Sequence, residues 1–181
     1  MVIAAGALTL LLGAAACSSD DPEPHVAPPS SSPPTTTPAS SPTAPTMPEP
    51  ANDHTPHGAE AFVRYFIAVL NFAQRTGDTS ALNDVSTEAC AGCRGYVQAI
   101  DRAYRTGGRV EGGTISIGKL RSLPKDYGAD WGGFATGSAT AQDIYDGNGG
   151  KKSYPGGDIS LSAYVKWQAG GWAMQWIRTP A

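Results

Sequence analysis

The chain has 181 residues, 13 basic and 16 acidic, for a net charge of −3, with 15 prolines, 22 glycines and 3 cysteines. That length leaves room for one folded domain, and so even a charge balance excludes the strongly basic face by which proteins hold nucleic acid. Charge is unevenly spread: residues 18–53 hold Asp20, Asp21, Glu23, Glu49 and Asp53 with no basic residue, whereas every Lys, Arg, Phe, Tyr and Trp follows His54.

Val2 to Ala16 is an apolar run of signal-peptide length ending in small residues. It is too short to cross ~30 Å of hydrocarbon comfortably, which takes about 20 residues. Residues 1–16 are therefore expected to be a signal peptide. The stretch Leu12-Gly13-Ala14-Ala15-Ala16-Cys17 resembles a bacterial lipobox. The resemblance implies a diacylglycerol on Cys17, a membrane reached through that lipid, and a place in the cell envelope at the outer face of the cytoplasmic membrane. Ala14 departs from the pattern, which usually has leucine there. No basic residue orients the apolar run, so the true start is expected upstream of Met1.

Residues 17–53 form the expected stalk. From Ser18 onward it holds eleven prolines, many serines and threonines, and only Val26 and Met47 as larger aliphatic or thioether side chains. So little apolar surface cannot offset chain entropy, which predicts a disordered spacer biased to polyproline II. At ~3.1 Å per residue it would span up to roughly 100 Å. Such tracts are often O-glycosylated on exported proteins, and a bare spacer is the other reading.

Residues 54–181 make up a single expected domain. Thr55 and Pro56 suit the cap and first position of a helix, and Gly77 suits its end. Between them Ala59, Phe62, Val63, Phe66, Leu70 and Ala73 recur at three and four, and Tyr65, Ile67 and Val69 widen the stripe, so the helix should be buried on more than one side. Asp78 suits the cap of a short helix near 79–84. Ser86 suits the cap of a third, with Glu88 in its first turn, a stripe of Cys90, Cys93, Val97, Ile100 and Tyr104, and an end at Gly107-Gly108.

The period then changes to two. Thr114 to Leu120 alternates around Ile115 and Ile117, and Phe134 to Tyr145 is small and tolerant of strand. Asp158 to Gln168 places Ile159, Leu161, Ala163, Val165 and Trp167 on one face. Ala169-Gly170-Gly171 is a turn, and Trp172, Met174 and Trp176 alternate beyond it. Residues 124–133 and 146–157 read as loops. Helices followed by antiparallel strands predict an α+β fold with N-terminal helices packed on a curved antiparallel sheet. That order resembles the nuclear-transport-factor-two-like cone.

Asn52 to Phe62 (Asn-Asp-His-Thr-Pro-His-Gly-Ala-Glu-Ala-Phe), Gly77-Asp78, Cys90-Ala91-Gly92-Cys93 and Gly171-Trp172 together resemble an actinobacterial lipoprotein family, the Domain of Unknown Function 6318 family. Its members share a lipobox, a Pro/Thr stalk, a T-P-x-G-A helix start and a C-x-x-C. The resemblance covers the chain, most strongly from Asn52 to Gly113, and implies no activity, cofactor or substrate.

Three chemistries compete at Cys90 and Cys93. A thioredoxin-like site needs a strand before the C-x-x-C, and the preceding residues read as helix and turn. A zinc site would have to recruit His54 and His57 from the stalk boundary. A structural disulfide suits an exported chain, and residues three apart in a helical turn stand ~5 Å apart at Cα, within bridging range. His54 and His57 are the last histidines, so a Ser/His/Asp set cannot be assembled in the domain. Asp101, Asp143, Tyr65, Tyr104 and Tyr145 remain as acid–base candidates, with solvated acids and core-edge tyrosines as the plainer reading. Gly147-Asn148-Gly149-Gly150 lacks the Lys-Ser/Thr of a phosphate loop and reads as turn. Trp167, Trp172 and Trp176 are expected in the core, and Trp131 as the exposed aromatic. The small-residue strand Ala135 to Ala141 is expected to leave a pocket beside the first helix, lined by Tyr65, Phe66, Tyr104 and Trp167, or a face for a homodimer through the sheet. The expected function is an exported, lipid-anchored binding or interaction module for a small molecule or an envelope protein, without metal or cofactor. A small-molecule enzyme of the cone fold is the alternative, and a wall-binding module with exposed tryptophans a third.

Overall fold

A computed structural model of the chain describes residues 42–179. The expected signal segment, Cys17 and the expected stalk through residue 41 lie outside the described residues.

The first helix, α1, runs Pro56–Thr76 and is bounded as its sequence predicts: the Thr55 hydroxyl accepts from Gly58 N, and Gly77 closes it in a left-handed conformation. Phe62, Phe66 and Leu70 are fully buried, with Val63 and Val69, so α1 is enclosed on several sides and forms the centre of the core. Helix α2 spans Ser80–Asp84, and the Asp78 carboxylate accepts from Ser80 N. Helix α3 spans Ala91–Tyr104.

The cap of α3 differs from expectation. Cys90, not Ser86, is the N-cap, and its sulfur accepts from Cys93 N. Residues 85–87 are instead drawn into the sheet: Met174 N donates to Val85 O, and Thr87 N donates to Met174 O. Backbone pairing with a distant strand offers Ser86 a position that local capping chemistry cannot reveal.

Eight strands follow: β1 Arg109–Gly112, β2 Ile115–Ile117, β3 Arg121–Leu123, β4 Trp131–Ala139, β5 Gln142–Tyr145, β6 Lys151–Tyr154, β7 Gly157–Gln168 and β8 Gly171–Arg178. They form two antiparallel sheets. One has the order β2-β4-β7-β8, with β3 also on β4, and the other β1-β5-β6. The fold is thus α+β with a curled antiparallel sheet over helices, as expected.

The segment 134–145 is not one strand. β4 and β5 break at Thr140-Ala141, opposite Gly112-Gly113, where both glycines have φ of +73°. A Cβ on Gly112 would collide with Ala141 O, so this corner needs glycine, and it turns one long hairpin from the first sheet into the second. The expected loop 146–157 contains β6, and the expected loop 124–133 ends in β4.

Two tryptophans are also relocated. Trp131 opens β4 opposite Val165 and is only 7% exposed, so it is not the exposed aromatic. In β8 a register irregularity matches Val165 to Met174 but Tyr164 to Trp176, leaving Gln175 as the extra residue. A bulge of this kind shifts the alternation by one. Trp172 and Met174 therefore remain in the core with Ile177, while Trp176 joins Tyr164 and Tyr127, whose ring lies 4.6 Å from that of Trp176.

The boundary expected after residue 53 lies within folded structure. A 3-10 turn spans Glu49–Asn52, Ala51 is 1% exposed, and Met47 packs against the core. The Trp172 indole donates to Asp53 O at 2.8 Å, and His54 stacks on Trp167 at 4.7 Å. These contacts hold the segment that composition alone assigns to the stalk.

Candidate functional site

The chain bends away from the main sheet at Gly112-Gly113, and the small sheet β1-β5-β6 therefore stands off α3 instead of packing flat against it. Two adjoining hollows line the gap, and a third lies beyond it towards the main sheet. The largest, about 590 Å³, lies between Arg102 of α3 and Tyr145, Lys151, Lys152 and Tyr154 of β5 and β6. A narrower one, about 170 Å³, is bounded by Tyr96, Ile100, Val110 and Ile144, and shares Ala99 and Ile144 with the first. A third, about 250 Å³, reaches Ile115, Ala139 and Ile159 and shares Gln74 and Gln142 with the second. The first two make a groove with a cationic mouth and an apolar throat, and the Gln142–Gln74 pair stands between that throat and the third hollow.

Its polar groups are unequally engaged. Lys151 pairs with Asp143 at 3.0 Å, and Arg109 pairs with Glu111. Asp146 accepts from Asn148 N and Gly150 N and so closes the hairpin before β6. Among the described residues, Arg102 and Lys152 make no ion pair. The Ser153 hydroxyl, and then Lys151, hold the Asp143 carboxyl below its ordinary value. Burial raises Tyr96 above the usual tyrosine value, partly offset by its hydrogen bond with Thr179. At the far end Gln142 Nε2 donates to Gln74 Oε1 at 2.7 Å and joins the small sheet to α1.

The expected pocket residues are dispersed. Phe66 is wholly inside the core, and Tyr65 packs on its edge against Phe62. Tyr104 donates from its hydroxyl to Gln74 O, and its ring lies against Gly77. Trp167 is stacked by His54. None of the four lines the groove, because the apolar stripe on α1 is consumed by the main sheet. The small-residue strand does leave a depression of about 510 Å³ over Gly137 and Ser138, but away from those four. Sequence reasoning missed the groove because β6 alternates no apolar residues and is exposed throughout. The available signal was the cationic pair Lys151-Lys152 beside Tyr154, read as loop.

Cys90 and Cys93 are joined by a disulfide, with Cα atoms 5.3 Å apart, and both are buried. While it stands, the bridge offers no thiolate to a zinc ion, and its burial shields both sulfurs from an attacking thiol. Asp101 accepts from the Thr79 hydroxyl, and among the described residues no cluster of three metal-ligating side chains occurs.

The residues that carry the family resemblance are joints of the scaffold. A Cβ on Gly58 would collide with Asp53 O, and one on Gly92 with Ile177 O. Thr55 caps α1, Ala59 is buried, and Trp172 ties down Asp53.

Residues 33–177 match the model of a family described as a family of unknown function, DUF6318. No curated protein matches the chain. The intermembrane space region of the chloroplast protein ARC6 is similar in structure, with a TM-score of 0.50 and 14% identity over 71% of this chain and 98% of that one. An NTF-2 like protein of unknown function from Shewanella oneidensis MR-1 shows a TM-score of 0.40 and 12% identity over 67% and 98%. Aln2 from a Streptomyces species shows 0.42 and 12% over 69% and 91%.

Proposed function

The chain belongs to the DUF6318 family of unknown function, which carries no activity with it, and from its own groove we propose that it is a binding module for a small ligand. The lipid expected on Cys17 would hold it at the outer face of the cytoplasmic membrane.

The observation that carries the binding half is the pair of adjoining hollows between α3 and the small sheet, apolar within and polar at the mouth. Such a combination is the usual form of a small-molecule site. Asp143, held below its ordinary value by Ser153 and Lys151, does not line the groove, and Tyr96, raised by burial, is bonded to Thr179. The anchor half rests on the apolar run that ends at Cys17.

Nile red, an uncharged dye, tests the groove. Its fluorescence should rise on adding the protein and fall to background with Ile144→Trp, which fills the throat. A signal unchanged by that variant overturns the assignment of the groove as the site. For the anchor, Cys17→Ala expressed behind a basic leader should leave the membrane fraction, and retention as tight as wild type places the anchor elsewhere.

A further inference from the structure

The groove has a sign as well as a shape. Four charged residues line its mouth: Arg102, Lys151, Lys152 and Asp146. Lys151 is neutralised by Asp143, and Asp146 is turned into its own hairpin by two backbone N–H groups. Arg102 on α3 and Lys152 on β6 line the mouth from opposite walls without an ion-pair partner, the Lys152 ammonium 5.0 Å from the centre of the Tyr154 ring, and even with Asp146 counted the mouth keeps a net positive charge. Behind them the lining changes to Ala99, Ile144, Ile100 and Val110, with no charged residue in the throat. A simple anion would use the mouth and leave the throat unfilled, and a neutral apolar ligand would use the throat and leave the cations unpaired.

We propose that the groove binds an amphiphilic anion, a phosphate or carboxylate headgroup held between Arg102 and Lys152 with an alkyl tail in the throat beside Ile144. The inference rests on the reading of the groove as a binding site and adds the class of its ligand. Guanidinium and ammonium donors on separate elements make charge-assisted hydrogen bonds to the headgroup. The tail gains by leaving water. Two sources supply this chemistry, a dissolved metabolite and an anionic lipid of the membrane.

Calorimetric titration of the full chain, purified lipid-free with its disulfide intact, separates these parts. The probes are octyl phosphate, octanoate, inorganic phosphate and octanol, and separately vesicles of phosphatidylglycerol or phosphatidylcholine. Octyl phosphate or octanoate should bind at least tenfold more tightly than inorganic phosphate and than octanol. The double variant Arg102→Gln, Lys152→Gln should lower that affinity about tenfold and leave octanol unchanged; both side chains are exposed, and an unaltered melting temperature confirms folding. Ile144→Trp should reduce the octyl ligands to the level of inorganic phosphate. Preference for phosphatidylglycerol vesicles without binding of dissolved octyl anions names the membrane as source, and the reverse names a dissolved ligand. Octanol equal to octyl phosphate, sensitive to Ile144→Trp, overturns the anionic class while the binding reading survives. No binding of any probe overturns both.

Discussion

The two sheets are joined by a continuous chain yet are built on different physics. In the five-stranded sheet Leu161, Ala163, Val165 and Met174 are fully buried against α1, and β4 and β7 stay in register over nine residue pairs. In the three-stranded sheet only Val110 is buried, and β6 is exposed along its length. The second sheet is held by its ladders, by Lys151–Asp143, by the Arg109 guanidinium 3.8 Å from the centre of the Tyr145 ring, and by the Gln142–Gln74 bond. A core of apolar contact is strong and leaves nothing open. A sheet held at its rim by polar bonds costs little to open and leaves a groove. Ligand sites are commonly drawn from the less stable parts of a fold for this reason.

The largest expected effect tests that contrast directly. Phe66→Ala, in the main core, should cost about 3–5 kcal/mol by chemical denaturation. Ile144→Ala, in the small sheet, should cost about 1 kcal/mol, because its side chain is half-exposed. Equal losses would mean that the small sheet belongs to the same core. Next, replacing Cys90 and Cys93 together by serine should cost about 2 kcal/mol, the loop-entropy value for so short a bridge. A similar loss in wild-type protein on adding reductant would confirm that the bridge itself is responsible.

A smaller effect concerns the N-terminal joint. Trp172→Phe removes the hydrogen bond to Asp53 O and should cost about 1 kcal/mol, with faster amide exchange at Ala51. Unchanged exchange there would show that Met47 and Ala51 hold the segment alone. The smallest effect lies in the small sheet. Because the folded Asp143 carboxyl sits below its ordinary value, its interactions stabilise the sheet above that value and are lost as pH falls through the folded one. Ser153→Ala removes the larger cause and should raise the Asp143 value more than Lys151→Gln does. Carboxyl titration by NMR reads both shifts, and the opposite order would make the ion pair dominant.

Elements with strong local chemistry were legible in the sequence. Thr55-Pro56 and Gly77 bracket α1, the period-two run names β7, and Ala169-Gly170, both at positive φ, form the turn before β8. At Cys90 and Cys93 the spacing allowed a bridge, and the expected export favoured it over zinc or redox chemistry. What failed depended on partners far along the chain. Residues 85–87 pair with Met174, residues 47–54 are held by Trp167 and Trp172, and Trp176 faces outward because of a bulge opposite Tyr164.

The sequence by itself determined the class of fold, the central helix and the order of helices before strands, because capping and periodicity act within a few residues. Only the tertiary structure decided where a ligand could enter. The groove arises where Gly112-Gly113 turns the ladder away from α3, and its two unpaired cations come from segments fifty residues apart, so no local pattern records their meeting.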